Sequence, residues 1–211
     1  MTTKYDKIFF DLDGTLSDSY NGIENGIRFA LNKTGITEIP KKDIKKLIGS
    51  PLHESLTKYY FNDKQKTWKA VEYFRDYYDN KGINESQLYP GIVDLLQELS
   101  TISQLYVITA KPTLFAKKLL TYHNVASLFT DILGCQMEGG NFSKSGLIKQ
   151  VPDLQYSIMI GDKPQDIAAG KDVGIETGGV LYGYGTEEEI IDSAPDFIIN
   201  SVSELKRILS C

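Results

Sequence analysis

The residues that could do chemistry in this chain are two pairs of aspartates, each placed after a short apolar run. Asp11 and Asp13 follow the run at residues 8–10, and Asp162 and Asp166 follow a second run of the same kind. Ligands of open α/β sheets lie beyond the carboxyl ends of the strands, so both pairs are expected at one edge. Four carboxylates would repel one another there unless a cation lay between them. Magnesium fits, because it prefers oxygen ligands in an octahedral arrangement.

A hydroxyl and two lysines lie near the starts of predicted helices and point to an anionic ligand. Thr109 follows the predicted strand 105–108, and its hydroxyl together with free backbone N–H groups at a helix start would suit a phosphate. The alternative is a threonine that only caps the helix. Lys144 stands just before the predicted helix 145–150, where a lysine opposes the helix dipole. An anionic neighbour is therefore expected. Lys111 and Lys149 are rivals for this role, and Lys144 is preferred.

The apolar periodicity predicts the elements that position these residues. Residues 18–82 contain helical patterns only, whereas strands and helices alternate from residue 88 onward, which is typical of a parallel sheet. We therefore expect an α/β fold with a doubly wound parallel-sheet (Rossmann-like) core, residues 1–17 and 88–211, and an inserted all-helical cap, residues 18–87. The predicted strands are 8–10, 105–108, 132–133, 158–160, 179–181 and 197–199.

Composition narrows the class of protein. The chain has 211 residues, 41% hydrophobic and 24% charged, as in a soluble globular protein. A net charge of −5 and a pI near 5.1 argue against a nucleic-acid surface. The apolar runs are too short to cross a bilayer and no signal peptide is recognisable, so a cytoplasmic location is expected. Cys135 and Cys211 are too few for a disulfide framework or a zinc site.

Four motifs in chain order resemble those of the haloacid-dehalogenase-like (HAD) hydrolases. The string Asp11-Leu12-Asp13-Gly14-Thr15-Leu16 resembles the first motif, and Gly161-Asp162 with Asp166 four residues on resembles the fourth. Thr109 and Lys144 stand where the family has its second and third motifs. The family often has Asn after the second motif, where this chain has Ala110. A calcium loop is a weaker rival, because the glycine comes too early.

The resemblance implies a magnesium-dependent phosphatase. Asp11 would attack the phosphorus and form an aspartyl-phosphate. Asp13 would protonate the leaving oxygen and later accept a proton from water. The metal ligands would be the carboxylate of Asp11, the backbone carbonyl of Asp13 and Asp162, with Asp166 reached through water or orienting the others.

The resemblance further implies how the phosphate is held. Thr109, Ala110 and Lys111 would surround the phosphoryl group, and Lys144 would neutralise charge between it and the nucleophile. No nucleic acid or membrane partner is expected.

The predicted cap would choose the substrate. Residues 47–52 resemble a cap segment of the phosphoglycolate-phosphatase-like branch of the family. The segment 49–53 is predicted to join two cap helices, so Ser50 and His53 could read the part of a small phosphate ester that is not the phosphate. The alternative for His53 is an exposed loop histidine.

Two other functions share these features. A receiver-like phospho-acceptor module also combines acidic residues, a hydroxyl and a lysine around magnesium, but lacks the Gly14-Thr15 turn with an inserted helical cap. A sugar-phosphate mutase of the same superfamily would keep its bisphosphate bound. The sequence leaves open whether the substrate is phosphoglycolate, a nucleotide, pyrophosphate or a sugar phosphate, and it leaves the oligomeric state open.

Overall fold

The computed structural model describes residues 2–210, which form two compact units. The sheet unit comprises the described residues up to Asp18 and from Leu88 onward, and the helical unit comprises Ser19–Gln87. The prediction about Cys135 and Cys211 depends on Cys211, which lies outside the described part of the chain. Cys135 itself is buried in a strand of the sheet unit.

The sheet unit is built on six parallel strands in the order β5-β4-β1-β6-β7-β8. The first strand lies in the middle and the chain adds strands on both sides of it, so the predicted doubly wound parallel sheet is confirmed. The strand bounds are β1 Lys7–Phe10, β4 Gln104–Pro112, β5 Asp131–Cys135, β6 Ser157–Gly161, β7 Glu176–Val180 and β8 Phe197–Ile199. The two-residue strands β2 Ser17–Asp18 and β3 Gln87–Leu88 form a separate small sheet.

Strand β1 sets the register that aligns the carboxyl ends of its neighbours. Its residues 8–10 are fully buried, as a strand covered on both faces requires. Phe10 lies opposite Val107 of β4 and Ile160 of β6. Because all three strands run in the same direction, the residues that follow each of them emerge at one edge of the sheet.

Strand β7 begins three residues before the predicted position. It runs from Glu176, whereas the apolar pattern predicted residues 179–181. Gly178 and Gly179 have low strand propensity, which hid the start of the strand from the sequence. A Cβ at Gly178 would crowd Ile160 and Ile199, so close contact with neighbouring side chains requires glycine there.

The helical unit contains four helices: α1 Tyr20–Lys33, α2 Lys41–Lys45, α3 Leu52–Tyr59 and α4 Lys64–Asn80. Helix α1 packs closely on α4, because a Cβ at Gly26 would already touch the ring of Phe74. Helix α4 is capped by Asp63, whose carboxylate accepts hydrogen bonds from the N–H groups of Gln65 and Lys66. A short 3-10 helix, Gly82–Glu85, follows.

The described part of the sheet unit also contains the α-helices α5 Ile92–Leu99, α6 Thr113–Tyr122, α7 Lys144–Ile148, α8 Pro164–Asp172, α9 Glu187–Asp192 and α10 Val202–Leu209, and a short 3-10 helix, Ala126–Leu128. Helix α9 has the predicted bounds and begins with a capping box between Thr186 and Glu189. Among residues 2–210, no helix combines the length and apolarity needed to cross a membrane.

Candidate active site

The loop after β1 is a tight turn that fixes the first two aspartates. The carbonyl of Leu12 accepts hydrogen bonds from the N–H groups of Leu16 and Ser17, at 3.0 and 2.9 Å. Gly14 has a φ of 90°, which glycine adopts without strain. A Cβ at Gly14 would also overlap the carboxylate of Asp162, so glycine lets the two aspartate loops approach each other.

Three aspartates converge at the carboxyl edge of the sheet. Asp11, Asp162 and Asp166 each offer an oxygen atom, and these atoms all lie within 4.8 Å of one another. All three side chains are buried. We call them the acidic cluster. Asp162 follows β6 directly, and Asp166 lies in the first turn of α8, where Gly161 leaves the space that its side chain fills.

Lys144 holds two members of the acidic cluster together. It is the first residue of α7 and is buried, with Nζ 2.9 Å from Oδ2 of Asp11 and 2.5 Å from Oδ1 of Asp166. Burial alone would lower the pKa of Lys144, but the charges of Asp11 and Asp166 raise it above its ordinary value. The anionic neighbour predicted for this lysine is therefore present, and it is a pair of carboxylates.

Burial also favours the protonated form of the carboxyl groups in the acidic cluster. It raises the pKa of Asp11 from 3.8 to about 7, against the opposing charge of Lys144. Burial and the charge of Asp11 raise the pKa of Asp162 to about 6, and burial raises that of Asp166.

One atom of the acidic cluster lacks a partner. The buried Oδ1 of Asp11 has no hydrogen-bond partner among the residues that the structure describes. A buried carboxylate oxygen without a partner is unfavourable. All-oxygen donors of this kind fit a hard cation such as magnesium, and Asp11, Asp162 and Asp166 could hold one.

Thr109 lies within a strand and not after it, so the predicted end of the strand at residue 108 is wrong, as is the alternative of a threonine that only caps a helix. Strand β4 continues through Thr109 to Pro112, and helix α6 begins only at Thr113. A residue before proline is disfavoured in a helix, which keeps Lys111 extended. The hydroxyl of Thr109 is buried and accepts a hydrogen bond from the N–H of Lys111 at 3.2 Å.

Lys111 is directed to the site by an irregularity in β4. The register between β4 and β5 shifts between Thr109 and Pro112, so Ala110 and Lys111 interrupt the regular pairing. Nζ of Lys111 lies 2.9 Å from Oδ2 of Asp13. Lys111 and Lys144 are therefore not rivals for one position, since each pairs with aspartates of its own.

Sequence reasoning missed the groups that hold Asp162. Its Oδ1 accepts a hydrogen bond from the hydroxyl of Thr15 at 3.2 Å, and its Oδ2 accepts one from the N–H of Tyr184 at 2.7 Å. The backbone N–H of Lys163 donates to Oδ2 of Asp166 at 3.0 Å. The sequence signal for this contact was Gly183 and Gly185, which flank Tyr184 shortly after a strand. Glycine is favoured where one backbone segment packs closely against another.

The two residues predicted to read the substrate lie in the helical unit. Ser50 is exposed before Pro51. His53 lies in the first turn of α3, so both its predicted place in a connecting segment and the alternative of a loop histidine are wrong. Its ring stacks on Trp68 with centroids 5.1 Å apart, and burial lowers its pKa.

Known proteins share both the sequence and the fold. A family model described as haloacid dehalogenase-like hydrolase matches residues 8–180. A 5'-nucleotidase of Pseudomonas aeruginosa is 32% identical over 98% of this chain and 96% of its own length. A phosphoglycolate phosphatase of Vibrio parahaemolyticus is 30% identical over 96% and 95%. The crystal structure of a protein described as a predicted phosphatase, from Clostridium acetobutylicum, is 35% identical with a TM-score of 0.89 over 96% of this chain and 97% of that one.

The matches cover the residues that form the site. The family model spans both aspartate loops, Lys111 and Lys144. Sequence relatives align over nearly the whole chain, the sheet unit and the helical unit included. This chain therefore belongs to the haloacid dehalogenase-like hydrolase family.

Proposed function

We propose that this HAD-family phosphatase hydrolyses small phosphate monoesters with magnesium, through an aspartyl-phosphate on Asp11. One observation carries the proposal: Asp11 stands at the end of the central strand with Oδ2 held by Lys144 and Oδ1 unpartnered. An oriented carboxylate with one unpartnered oxygen is suited to attack a phosphorus atom.

The proposed reaction has two steps. In the first, a carboxylate oxygen of Asp11 bonds to phosphorus as the bond to the ester oxygen breaks, and Asp13 gives its proton to that oxygen. In the second, Asp13 takes a proton from water as the water oxygen attacks the phosphoryl group, and the carboxylate of Asp11 is restored. The side chain of Asp13 is 14% exposed, so water can reach it for this exchange.

Positive groups would compensate the charge of the transferred phosphoryl group. Lys111 and Lys144 each lie 2.9 Å from a carboxylate of the loop that carries Asp11 and Asp13. Magnesium would be held by Asp11, the carbonyl of Asp13 and Asp162, with Asp166 in support, and would supply further neutralisation of charge.

The substrate class is proposed from the relatives. Those reported above are named 5'-nucleotidase and phosphoglycolate phosphatase, and both names denote enzymes that act on small phosphate esters. We propose that the helical unit acts as a cap that selects among such esters, and that Ser50 and His53 contribute to this selection. The cytoplasmic location expected from the sequence stays a prediction.

Two alternatives differ from hydrolysis in their products. A receiver-like module would be phosphorylated about once without turnover, and membership of a hydrolase family argues against it. A mutase of the same superfamily would move the phosphoryl group within a sugar phosphate and release no phosphate.

The test is phosphate release from a panel of small metabolites. The panel should contain phosphoglycolate, nucleoside monophosphates, pyrophosphate and sugar phosphates. We expect catalytic turnover of at least one of them with magnesium, its loss with a chelator and its return when magnesium is restored. Single phosphorylation without turnover, or isomerisation of a sugar phosphate without phosphate release, would contradict the proposal.

A further inference from the structure

The loop after β7 contacts both aspartate loops although it carries no acidic residue of its own. Its residues 181–185 read Leu-Tyr-Gly-Tyr-Gly, and we call it the tyrosine loop. The hydroxyl of Tyr182 donates to the carbonyl of Thr15 at 3.1 Å. The hydroxyl of Tyr184 lies 3.4 Å from the carbonyl of Ser17 and 3.2 Å from Oδ1 of Asp18. The tyrosine loop is thus anchored to the chain that follows β1.

The backbone of the tyrosine loop holds Asp162. The N–H of Tyr184 donates to Oδ2 of Asp162 at 2.7 Å. The carbonyl of Tyr184 accepts a hydrogen bond from Nζ of Lys163 at 3.2 Å. One residue of the loop therefore contacts the carboxylate of Asp162 and the side chain of the residue after it.

The two glycines of the tyrosine loop make this contact possible. A Cβ at Gly183 would overlap both the side chain of Asp162 and the carbonyl of Gly14. A Cβ at Gly185 would overlap the carbonyl of Asp162. Neither glycine has a positive φ, so the requirement is space and not backbone conformation.

Aromatic packing stiffens the same loop. The rings of Tyr182 and Tyr89 meet edge to face with centroids 4.9 Å apart. Burial, followed by the nearby Tyr89 and the charge of Asp162, raises the pKa of Tyr182, so its hydroxyl keeps the proton that it donates.

We propose that the tyrosine loop is a positioning element that fixes the orientation of Asp162 for magnesium. The inference rests on the magnesium site of the proposed function. Asp162 is buried beside Asp11, and repulsion between the two carboxylates favours any rotation that separates them. The hydrogen bond from Tyr184 opposes that rotation, and the two hydroxyl anchors hold Tyr184 in place. Groups that orient a metal ligand typically contribute a factor of about 10–100 to metal affinity.

The test is magnesium binding measured by calorimetry on the whole chain without substrate. The main variant combines Tyr182→Phe with Tyr184→Phe, which removes both anchors and keeps the rings and the backbone N–H. The control is Tyr106→Phe, which removes a hydroxyl bonded to Gln104 at the other end of the sheet. We expect the Kd for magnesium to rise about tenfold in the double variant and to stay unchanged in the control.

Further measurements separate positioning from folding. The circular dichroism spectrum of the double variant should match that of the unmodified chain, and kcat at saturating magnesium should fall by less than the affinity. Each single Tyr→Phe variant should weaken binding by an intermediate factor. Gly183→Ala, which displaces Asp162 directly, should weaken binding more than either single variant.

Two results would overturn the inference. If the unmodified chain binds magnesium and the double variant binds it equally well, the tyrosine loop does not position Asp162, and the proposed function is unaffected. If the unmodified chain binds no magnesium, both the inference and the magnesium site of the proposed function are wrong.

Discussion

The two units of this protein bury different kinds of polar residue. The described part of the sheet unit buries charged residues as well as hydroxyl-bearing ones, whereas the buried polar residues of the helical unit all carry hydroxyl groups. The buried charged residues of the sheet unit are Asp11, Lys144, Asp162 and Asp166, and the buried polar residues of the helical unit are Ser19, Ser55, Thr67 and Ser86.

The buried charges of the sheet unit lower the stability of the fold. A buried charge is strongly unfavourable unless it is paired, and Lys144 contacts two of the three carboxylates of the acidic cluster. The ion pairs of the helical unit, such as Arg28–Glu24 and Lys46–Asp43, are at least partly exposed and contribute little. A protein keeps such a buried cluster when its chemistry needs it, so changes in the two units should have different effects.

The largest effect is expected from Asp11→Asn in the sheet unit. Removing the nucleophile should lower kcat by about 10⁴-fold or more, because no other group can form the covalent intermediate. Phosphate release under saturating magnesium measures this. Substantial turnover by an Asp11→Asn preparation free of the unmodified enzyme would show that Asp11 is not the nucleophile.

Replacement of Lys144 and of Lys111 by alanine should lower stability to different extents. Lys144→Ala should lower kcat by about 10²–10³-fold and also destabilise the fold, because it leaves two buried aspartates without their partner. Lys111→Ala should lower kcat with less loss of stability, since Asp13 is less buried. Lys149→Ala, at an exposed position next to α7, is the matched control. Steady-state kinetics and urea unfolding give the ranking, and equal loss of stability in the first two variants would contradict it.

The two aspartates of the second loop should differ in metal dependence. Asp162→Ala should raise the magnesium concentration for half-maximal activity about 10–100-fold over that of the unmodified enzyme. Asp166→Ala should raise it by a smaller factor. The reason is that Asp166 is already paired with the charged Nζ of Lys144, whereas Asp162 accepts hydrogen bonds from uncharged groups, the hydroxyl of Thr15 and the N–H of Tyr184. Magnesium titrations of both variants decide the order, and the reverse order would show that Asp166 is the direct ligand.

Stability without metal should depend on pH through Asp11. Its pKa is about 7 in the fold against 3.8 for the free group, so between these values the folded chain holds a proton that the unfolded chain has lost. The free energy of unfolding contributed by this group therefore falls as the pH rises from about 4 to 7. In the presence of a chelator, the Asp11→Asn variant should therefore be more stable than the unmodified chain. This difference in stability should be larger at pH 8 than at pH 5. Thermal unfolding at the two pH values measures this, and a pH-independent difference would count against the raised pKa.

The smallest effects are expected in the helical unit, and they should depend on the substrate. Ser50→Ala and His53→Ala should change kcat/KM by a few-fold, to different extents for different metabolites, because one methylene-sized contact changes discrimination only modestly. A generic aryl phosphate should be hardly affected. His53→Phe, which keeps an aromatic ring against Trp68, is the control for packing. Equal slowing of every substrate by the Ser50 and His53 variants would argue against a substrate-selecting cap.

Local pattern determined much of the sheet unit. The apolar runs before Asp11 and Asp162, and the glycines beside them, were enough to predict two strand ends that carry acids. Helix α9 and strand β8 have the predicted bounds, because an acidic first turn and a short apolar run are signals contained within a few residues.

The tertiary structure alone decided which groups meet. The sequence favoured Lys144 over Lys111 but could not predict which aspartates either would contact. The shifted register of β4 and the position of α7 gave each lysine its own aspartates. The contact of Tyr184 with Asp162 joins residues 22 positions apart through neighbouring strands. Sequence patterns report periodicity and turns along the chain, whereas hydrogen bonds and charge pairs depend on distances across the sheet that only the folded strand order fixes.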